Sequence, residues 1–207
     1  PDGRPKVEDK YLDALYGMTL EEVWKPIFVL GYGHQFVGGG ENPLNTLHDD
    51  GRKLVGRAVT CTYCPTRPDL HDVQFARGAE DGLQGNYNQW VIDHLYERDV
   101  VVCDMYDKIY KGTFLGGNLT TALHNRTKTG GAVIWGGIRD VEQMKKVPDV
   151  QVYYRGIDPT PIREFVMKDW NDITNFGGAV CLPGDIVFGA GGGVLFIPAH
   201  LVADVVE

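Results

Sequence analysis

The chain has 207 residues, with 20 Lys and Arg against 28 Asp and Glu, which gives a formal net charge of −8. This length fits one medium-sized domain, or one domain with an arm. An acidic chain lacks the positive surface that non-specific nucleic-acid binding requires, so we expect no nucleic-acid partner. No run of about 18 apolar residues occurs, so the sequence predicts no membrane-spanning helix and no membrane partner. Serine is absent, which excludes a serine nucleophile.

Residues 1–53 are predicted to form an N-terminal arm and loop extension. A stripe of apolar residues at helical spacing predicts a first helix, with Val7, Tyr11, Leu12 and Leu15 on one face. Thr19 followed by Glu22 has the spacing of a capping box, which starts a second helix that Pro26 should end or kink. Residues 31–53 are rich in Gly, Asn and Asp, and are therefore predicted to form a loop.

From residue 54 onward, predicted strands alternate with short helices, which indicates an α/β fold with a mixed sheet. The predicted strands are 54–62, 100–103, 132–135, 150–154, 179–182, 186–188 and 194–197. The predicted helices are 90–96, 119–126 and one that begins at Pro198. Arg67-Pro68-Asp69 is predicted to be a rigid turn, with a charged loop that meets the site as the alternative.

Cys61 and Cys64 form a CxxC pair. A zinc ribbon needs a second such pair, and a redox pair usually opens a helix, but this pair ends a predicted strand. We therefore predict small hydrophobic residues at these positions, with metal or redox chemistry as the less favoured alternative.

The strongest chemical signal comes from the turn Gly116-Gly117-Asn118 and the later pair Arg139-Asp140. A glycine turn that opens a helix presents free backbone N–H groups to an anion. Arg139 offers a planar fork for a carboxylate, and Asp140 offers a hard oxygen ligand for Mg²⁺ or Mn²⁺. If the helix start and the strand end lie side by side, they form one site for a small oxo-acid. The competing interpretation is a helix cap beside a surface ion pair.

These motifs, in their order along residues 54–207, resemble the RraA-like family. That family includes the regulator of ribonuclease E activity and the class II 4-hydroxy-4-methyl-2-oxoglutarate aldolases. Supporting motifs are Leu54-Val55-Gly56-Arg57-Ala58-Val59-Thr60, Asp99-Val100-Val101-Val102-Cys103-Asp104, Pro183-Gly184-Asp185-Ile186-Val187 and Gly193-Val194-Leu195-Phe196-Ile197-Pro198. The resemblance implies a swivelling-type β/β/α domain over residues 54–207 and a ring-shaped homotrimer, sometimes doubled into a hexamer.

The resemblance also implies roles for individual residues. Arg139 and Asp140 would be catalytic, with Asp140 holding the divalent metal and Arg139 gripping the oxo-acid. The implied substrate-binding residues are Gly117, Asn118, Leu119, Thr120 and Arg139. Two departures stand out: Asn118 occupies a position where the aldolases usually carry a carboxylate, and 191–193 is a run of glycines in place of an acidic pattern.

Two hypotheses follow from these residues. The first is an aldolase or lyase that depends on Mg²⁺ or Mn²⁺ and cleaves a C–C bond of a 2-oxo acid to release pyruvate, with oxaloacetate decarboxylation within the same chemistry. The second is a non-catalytic ring that binds a protein partner such as a ribonuclease. We expect a cytoplasmic location by default, and a secreted or periplasmic one if a signal peptide has been removed.

Overall fold

A computed structural model describes residues 2–207 of the chain. The helices are α1 (Asp9–Leu15), α2 (Leu20–Val29), α3 (Pro68–Glu80), α4 (Tyr87–Asp93), α5 (Gly117–Thr127), α6 (Val141–Met144) and α7 (Val202–Val206), the last preceded by a 3₁₀ turn at Ala199–Leu201. The strands are β1 (Phe36–Gly38), β2 (Asn45–Thr46), β3 (Leu54–Pro65), β4 (Asp99–Leu115), β5 (Gly131–Ile138), β6 (Gln151–Ile157), β7 (Phe165–Trp170), β8 (Thr174–Phe176), β9 (Ala179–Cys181), β10 (Ile186–Ala190) and β11 (Gly193–Ile197).

The main sheet is mixed, as predicted. Its strand order is β1-β11-β10-β3-β4-β5-β6-β2, with β7 paired to β3 outside this path. The central strands β3, β4, β5 and β6 run parallel, while β10 and β11 are antiparallel to their neighbours. The prediction of an α/β fold with a mixed sheet is therefore confirmed.

Alternate residues of β3 show how the layers are arranged. Val55 and Val59 pack into clusters that contain the helices, whereas Leu54 and Ala58 belong to a cluster that includes the β8–β9 hairpin. Successive side chains of a strand point to opposite faces of the sheet. The helices therefore cover one face of the main sheet, and the small hairpin covers the other.

The N-terminal helices form largely as predicted. Thr19 accepts a hydrogen bond from the Glu22 amide at 3.3 Å, and the Glu22 carboxylate accepts one from the Thr19 amide at 2.7 Å, which completes the capping box. Pro26 does not end α2, because the helix continues to Val29 and the Pro26 carbonyl accepts a hydrogen bond from Leu30.

The segment predicted to be a loop, 31–53, contributes two short strands to the main sheet. β1 pairs with β11 and β2 pairs with β6. Strands of 3 and 2 residues are too short for an alternating pattern to be visible in the sequence. The proposed domain boundary between residues 53 and 54 stays a prediction.

Four other elements were not predicted from the sequence, namely α3, α6, β7 and β8. Of these, α6 and β8 have 4 and 3 residues, too few for a periodic pattern. Arg67-Pro68-Asp69 was predicted as a turn but starts α3, where Pro68 takes the first helical position that suits its fixed backbone angle. β7 was missed because its outer half carries exposed charged residues, which hide the strand pattern. Among the helices of residues 2–207, none has the length and apolar character that crossing a membrane would require.

Candidate functional site

The two motifs singled out in the sequence meet where β4 and β5 end. Leu115 and Ile138 are register partners at the ends of these strands. The Arg139 amide then donates a hydrogen bond to the Leu115 carbonyl at 3.0 Å. The chain leaves β4 through Gly116 into α5, and it leaves β5 through Arg139 into α6. The helix start and the strand end are therefore neighbours, as the hypothesis of one site requires.

The start of α5 presents free backbone donors. The Thr120 amide is already bonded to the Gly116 carbonyl at 3.0 Å, and the Thr120 hydroxyl bonds to the same carbonyl at 2.9 Å. The Asn118 and Leu119 amides have no acceptor among residues 2–207. These two amides are the donors left for an anion, and the helix dipole reinforces them.

Asp140 joins the two motifs. Its Oδ2 accepts a hydrogen bond from the Gly117 amide at 3.3 Å and lies 3.5 Å from Nε of Arg139. The side chains remain accessible, at 30% exposure for Arg139 and 43% for Asp140. Asp140 Oδ1 has no hydrogen-bond partner within residues 2–207, so this oxygen is available to a ligand.

The backbone of Asp140 is also unusual. Its φ of 56° lies in the left-handed region, and its carbonyl accepts hydrogen bonds from the amides of Gln143 and Met144 in α6. Asp tolerates this conformation better than most residues, although it still costs free energy. The conformation turns the chain directly from β5 into α6 and places the carboxylate beside Gly117.

Gly116 makes the close packing possible. A Cβ atom added there would lie 2.8 Å from Asp140 Oδ2 and 3.0 Å from Arg139 Nε. Gly117 is similar, because an added Cβ would lie 2.5 Å from Oε1 of Gln143. The glycines of the turn thus leave room for the side chains that follow β5.

The site offers a divalent ion one carboxylate oxygen, Oδ1 of Asp140. Asp140 is the carboxylate at the junction of α5 and β5, whereas Asn118 is an exposed amide at the helix start. No group of three or more His, Cys, Asp or Glu side chains within residues 2–207 is arranged to hold a metal. Mg²⁺ is often bound through one or two carboxylates while it keeps several water ligands. A mostly hydrated Mg²⁺ or Mn²⁺ is therefore compatible with this single oxygen ligand.

The glycine run 191–193 lies at the opposite edge of the sheet. β10 is antiparallel to β3, and Gly189 pairs with Leu54 at the amino end of β3. The turn that follows β10 is therefore at the amino edge, whereas Arg139 lies at the carboxyl edge. Within one chain, this turn does not contribute to the site around Asp140.

Two supporting residues were not found from the sequence. The Asn88 side chain donates to the Phe114 carbonyl at 2.9 Å, and this buried bond fixes the segment just before Gly116. Gln143 packs against Gly117 from α6. No sequence motif marks either residue, because each acts through a contact between elements that are distant in the sequence.

Comparison with known proteins places the chain in a family. A family model described as RraA-like, Aldolase/RraA, matches residues 30–196. Protein DlpA of Legionella pneumophila subsp. pneumophila (strain Philadelphia 1) is 31% identical over 159 residues, which cover 76% of this chain and 23% of DlpA. The chain thus spans about a quarter of the length of this curated relative.

Solved structures share the fold. RraAS2 of Streptomyces coelicolor, described as an unusual member of the RNase ES inhibitor RraA protein family, superposes with a TM-score of 0.74 at 22% identity, over 100% of this chain and 92% of that one. The RNA-processing inhibitor RraA from Thermus thermophilis gives 0.58 at 16% identity, over 84% and 91%. The family match, which covers most of the chain, shows that this protein belongs to the RraA-like family.

Proposed function

We propose that this protein is a divalent-metal-dependent lyase of the aldolase type, which cleaves a C–C bond of a 2-oxo acid and releases pyruvate. The observation that carries the proposal is the position of Asp140, whose carboxylate contacts both Arg139 and the Gly117 amide. Through these contacts the Arg139 cation and the Asp140 carboxylate lie beside the start of α5, where the Asn118 and Leu119 amides are free of acceptors among the described residues. Oxaloacetate decarboxylation belongs to the same proposal, since it forms the same pyruvate enolate.

Each residue would have a distinct part in this reaction. The Asn118 and Leu119 amides would bind the carboxylate of the substrate at the positive end of α5. The Arg139 guanidinium would orient the oxo-acid through charge-assisted hydrogen bonds. Negative charge develops on the 2-oxo oxygen as the C–C bond breaks, and Arg139 would stabilise it.

Asp140 is the residue that would hold Mg²⁺ or Mn²⁺. When bound, such an ion acts as a Lewis acid toward a carbonyl oxygen. Asp140 would offer the ion its Oδ1, while Oδ2 keeps its contact with the Gly117 amide. The carboxylate would therefore keep its orientation whether or not the ion is present.

The test is a pyruvate-release assay coupled to lactate dehydrogenase, run on a panel of 2-oxo acids with Mg²⁺ or Mn²⁺. Asp140→Asn keeps the shape and tolerates the left-handed backbone, but it removes the charge. We expect turnover to fall about 100-fold or more with the fold unchanged, because the ligand oxygen loses its charge.

Asp149→Asn is a matched control for this variant. Asp149 is also exposed and has a left-handed φ of 52°, but it lies beyond α6 and outside the site. We expect this control to behave as the wild type. Equal losses in both variants would contradict a specific role for Asp140.

A second candidate function is a non-catalytic ring that binds a protein. The lone carboxylate at the site favours it, because catalysis through a metal usually draws on more than one charged ligand. The structural relatives described as inhibitors of RNase ES or of RNA processing suggest a ribonuclease as the partner. In this case the protein inhibits a purified ribonuclease and releases no pyruvate from any oxo-acid, with or without metal.

We further propose that the protein assembles as a homotrimer or a hexamer. Trp24 and Phe28 stack at 4.5 Å on α2, and Phe28 is 50% exposed. Val29 and Leu30, next along the chain, are 74% and 57% exposed, and contiguous exposed apolar residues are typical of protein–protein contact surfaces. Light scattering should give a mass three or six times that of the chain, and a monomer at micromolar concentration would contradict the proposal.

A further inference from the structure

A pocket of about 600 Å³ lies apart from the Arg139–Asp140 site. It is bounded by the start of α3, the start of α4 and the segment 161–165 that leads into β7. None of the residues discussed in the proposed reaction lines it. Its volume is within the range of pockets that bind small molecules.

Aromatic rings lie along one side of this pocket, where Phe75 is half-buried and Tyr87 and Phe165 are only 1% and 8% exposed. The Phe75 and Tyr87 rings meet edge to face with centroids 4.9 Å apart, and Phe165 meets Tyr87 at 5.6 Å. Trp90 supports the group from behind, 4.8 Å from Tyr87. The accessible face of Phe75 offers an aromatic ring the tilted contact that ring pairs prefer. The apolar part of a ligand here is therefore expected to be flat and unsaturated.

His71 supplies a directed donor in the same wall. The Tyr87 hydroxyl lies 3.0 Å from Nδ1 of His71. Burial raises the pKa of Tyr87 to about 12, so its hydroxyl carries a proton at neutral pH, and Nδ1 accepts this proton in the tautomer of His71 that is protonated at Nε2. A neutral imidazole that accepts at Nδ1 carries its proton at Nε2. In this tautomer His71 has an N–H group left for a ligand oxygen.

The charges at the pocket favour an anion. Arg163 lines it, and its guanidinium pairs with no carboxylate in the part of the chain that the structure describes. Glu164 also lines it, but its carboxylate is bound to the Lys111 ammonium at 2.5 Å. The acidic group is thus neutralised within the fold, whereas the basic group is not.

We propose that this pocket binds a small carboxylate that bears an aromatic ring, with the ring against Phe75 and the accessible edge of Phe165. The carboxylate would accept hydrogen bonds from Arg163 and from Nε2 of His71. This site is separate from the oxo-acid site, so the proposal stands whether or not the protein is a lyase.

Calorimetric titration with 3-phenylpropionate tests the proposal, with 3-phenylpropan-1-ol as the neutral analogue of the same shape. We expect saturable binding of the acid and at least about tenfold weaker binding of the alcohol, because a charged hydrogen bond is lost. Arg163→Gln should lower the affinity for the acid by a similar factor and leave the affinity for the alcohol unchanged. Phe75→Leu should lower the affinity for both ligands, since it removes an aromatic ring from the pocket.

Two control variants locate the binding site. Arg67→Gln removes a neighbouring exposed charge that is paired with Asp69 and does not line the pocket, so it should bind the acid as the wild type does. Arg139→Gln should also bind it normally. Circular dichroism checks that each variant is folded.

Four results would overturn the inference, and the first three concern comparisons. They are equal affinity for acid and alcohol, unchanged affinity in folded Arg163→Gln, and loss of binding in Arg139→Gln, which would place the ligand at the other site. Absence of saturable binding to the wild type at millimolar acid would overturn it as well.

Discussion

Gly116→Ala is the most direct test of the junction between β4 and β5. The added methyl group would lie 2.8 Å from Asp140 Oδ2 and 3.0 Å from Arg139 Nε. Ordinary van der Waals contacts begin at 3.4 Å, so both side chains must move. The Gly116 backbone is extended, with φ at −140°, so alanine brings no conformational strain of its own.

The distances give the size of the displacement. The carboxylate oxygen must retreat by about 0.6 Å and the guanidinium nitrogen by about 0.4 Å to restore normal contact. Reacting groups need positions correct to about 0.5 Å, and a misplacement of about 1 Å can cost on the order of 100-fold in rate. We therefore expect kcat/KM for pyruvate release to fall by about 10- to 100-fold.

Stability should change little in the same variant. The atoms that meet the methyl group are Asp140 Oδ2 and Nε and Cγ of Arg139, on side chains that are 43% and 30% exposed and can therefore turn toward solvent. We expect the free energy of unfolding in urea to change by no more than about 1 kcal/mol.

Gly40→Ala is the control, because an added Cβ there meets nothing within 4 Å and no left-handed backbone is involved. This variant should keep the activity of the wild type. Full activity of Gly116→Ala on a substrate that the wild type cleaves would refute the reasoning, because the displaced pair could not then be the reacting site. If the wild type cleaves no substrate, pyruvate binding by calorimetry replaces the rate as the measurement.

Three other predictions concern single residues. Arg139→Lys keeps the charge but loses the planar fork, so kcat/KM should fall about 10- to 100-fold in the coupled assay while Mg²⁺ affinity stays the same. Arg4→Ala should lower the free energy of unfolding in urea by about 3–5 kcal/mol, because it leaves the buried carboxylate of Asp99, which is 1% exposed and lies 2.8 Å from Arg4, without its cation. Arg67→Ala is the control, since it removes one partner of the exposed pair with Asp69 and should not measurably change the free energy of unfolding. Burial raises the pKa of Asp185 from 3.8 to about 6, so the folded state binds the proton more tightly and stability should fall as pH rises through this window, a slope that Asp185→Asn should lack.

The predictions from sequence succeeded where a pattern is local. The central parallel strands read as continuous apolar runs, because both of their faces are buried between helices and hairpin. The capping box at Thr19 depends on residues within one turn, and it formed as predicted. By contrast, β1 and β2 exist only because β11 and β6 offer them partners, and no signal within residues 31–53 contains that information.

The candidate site shows the same division. The glycine turn and the Arg139–Asp140 pair carry their chemistry in the residue types, so they could be singled out before the fold was known. Their contact depends on the register of Leu115 with Ile138, which is a property of the sheet. The bond from Asn88 to Phe114 was missed for the same reason, since it joins α4 to the end of β4.

The charges at the site suggest that binding and catalysis can be separated. Arg139 contributes one positive charge, Asp140 one negative charge, and the start of α5 about half a positive charge from its dipole. The sum is positive, so an oxo-acid anion should bind without a metal, whereas cleavage of a C–C bond needs the stronger polarisation that an ion supplies. We therefore expect a chelator to abolish pyruvate release while calorimetry still detects pyruvate binding. Loss of pyruvate binding upon chelation would show that the ion, and not Arg139 with the amides of α5, holds the ligand.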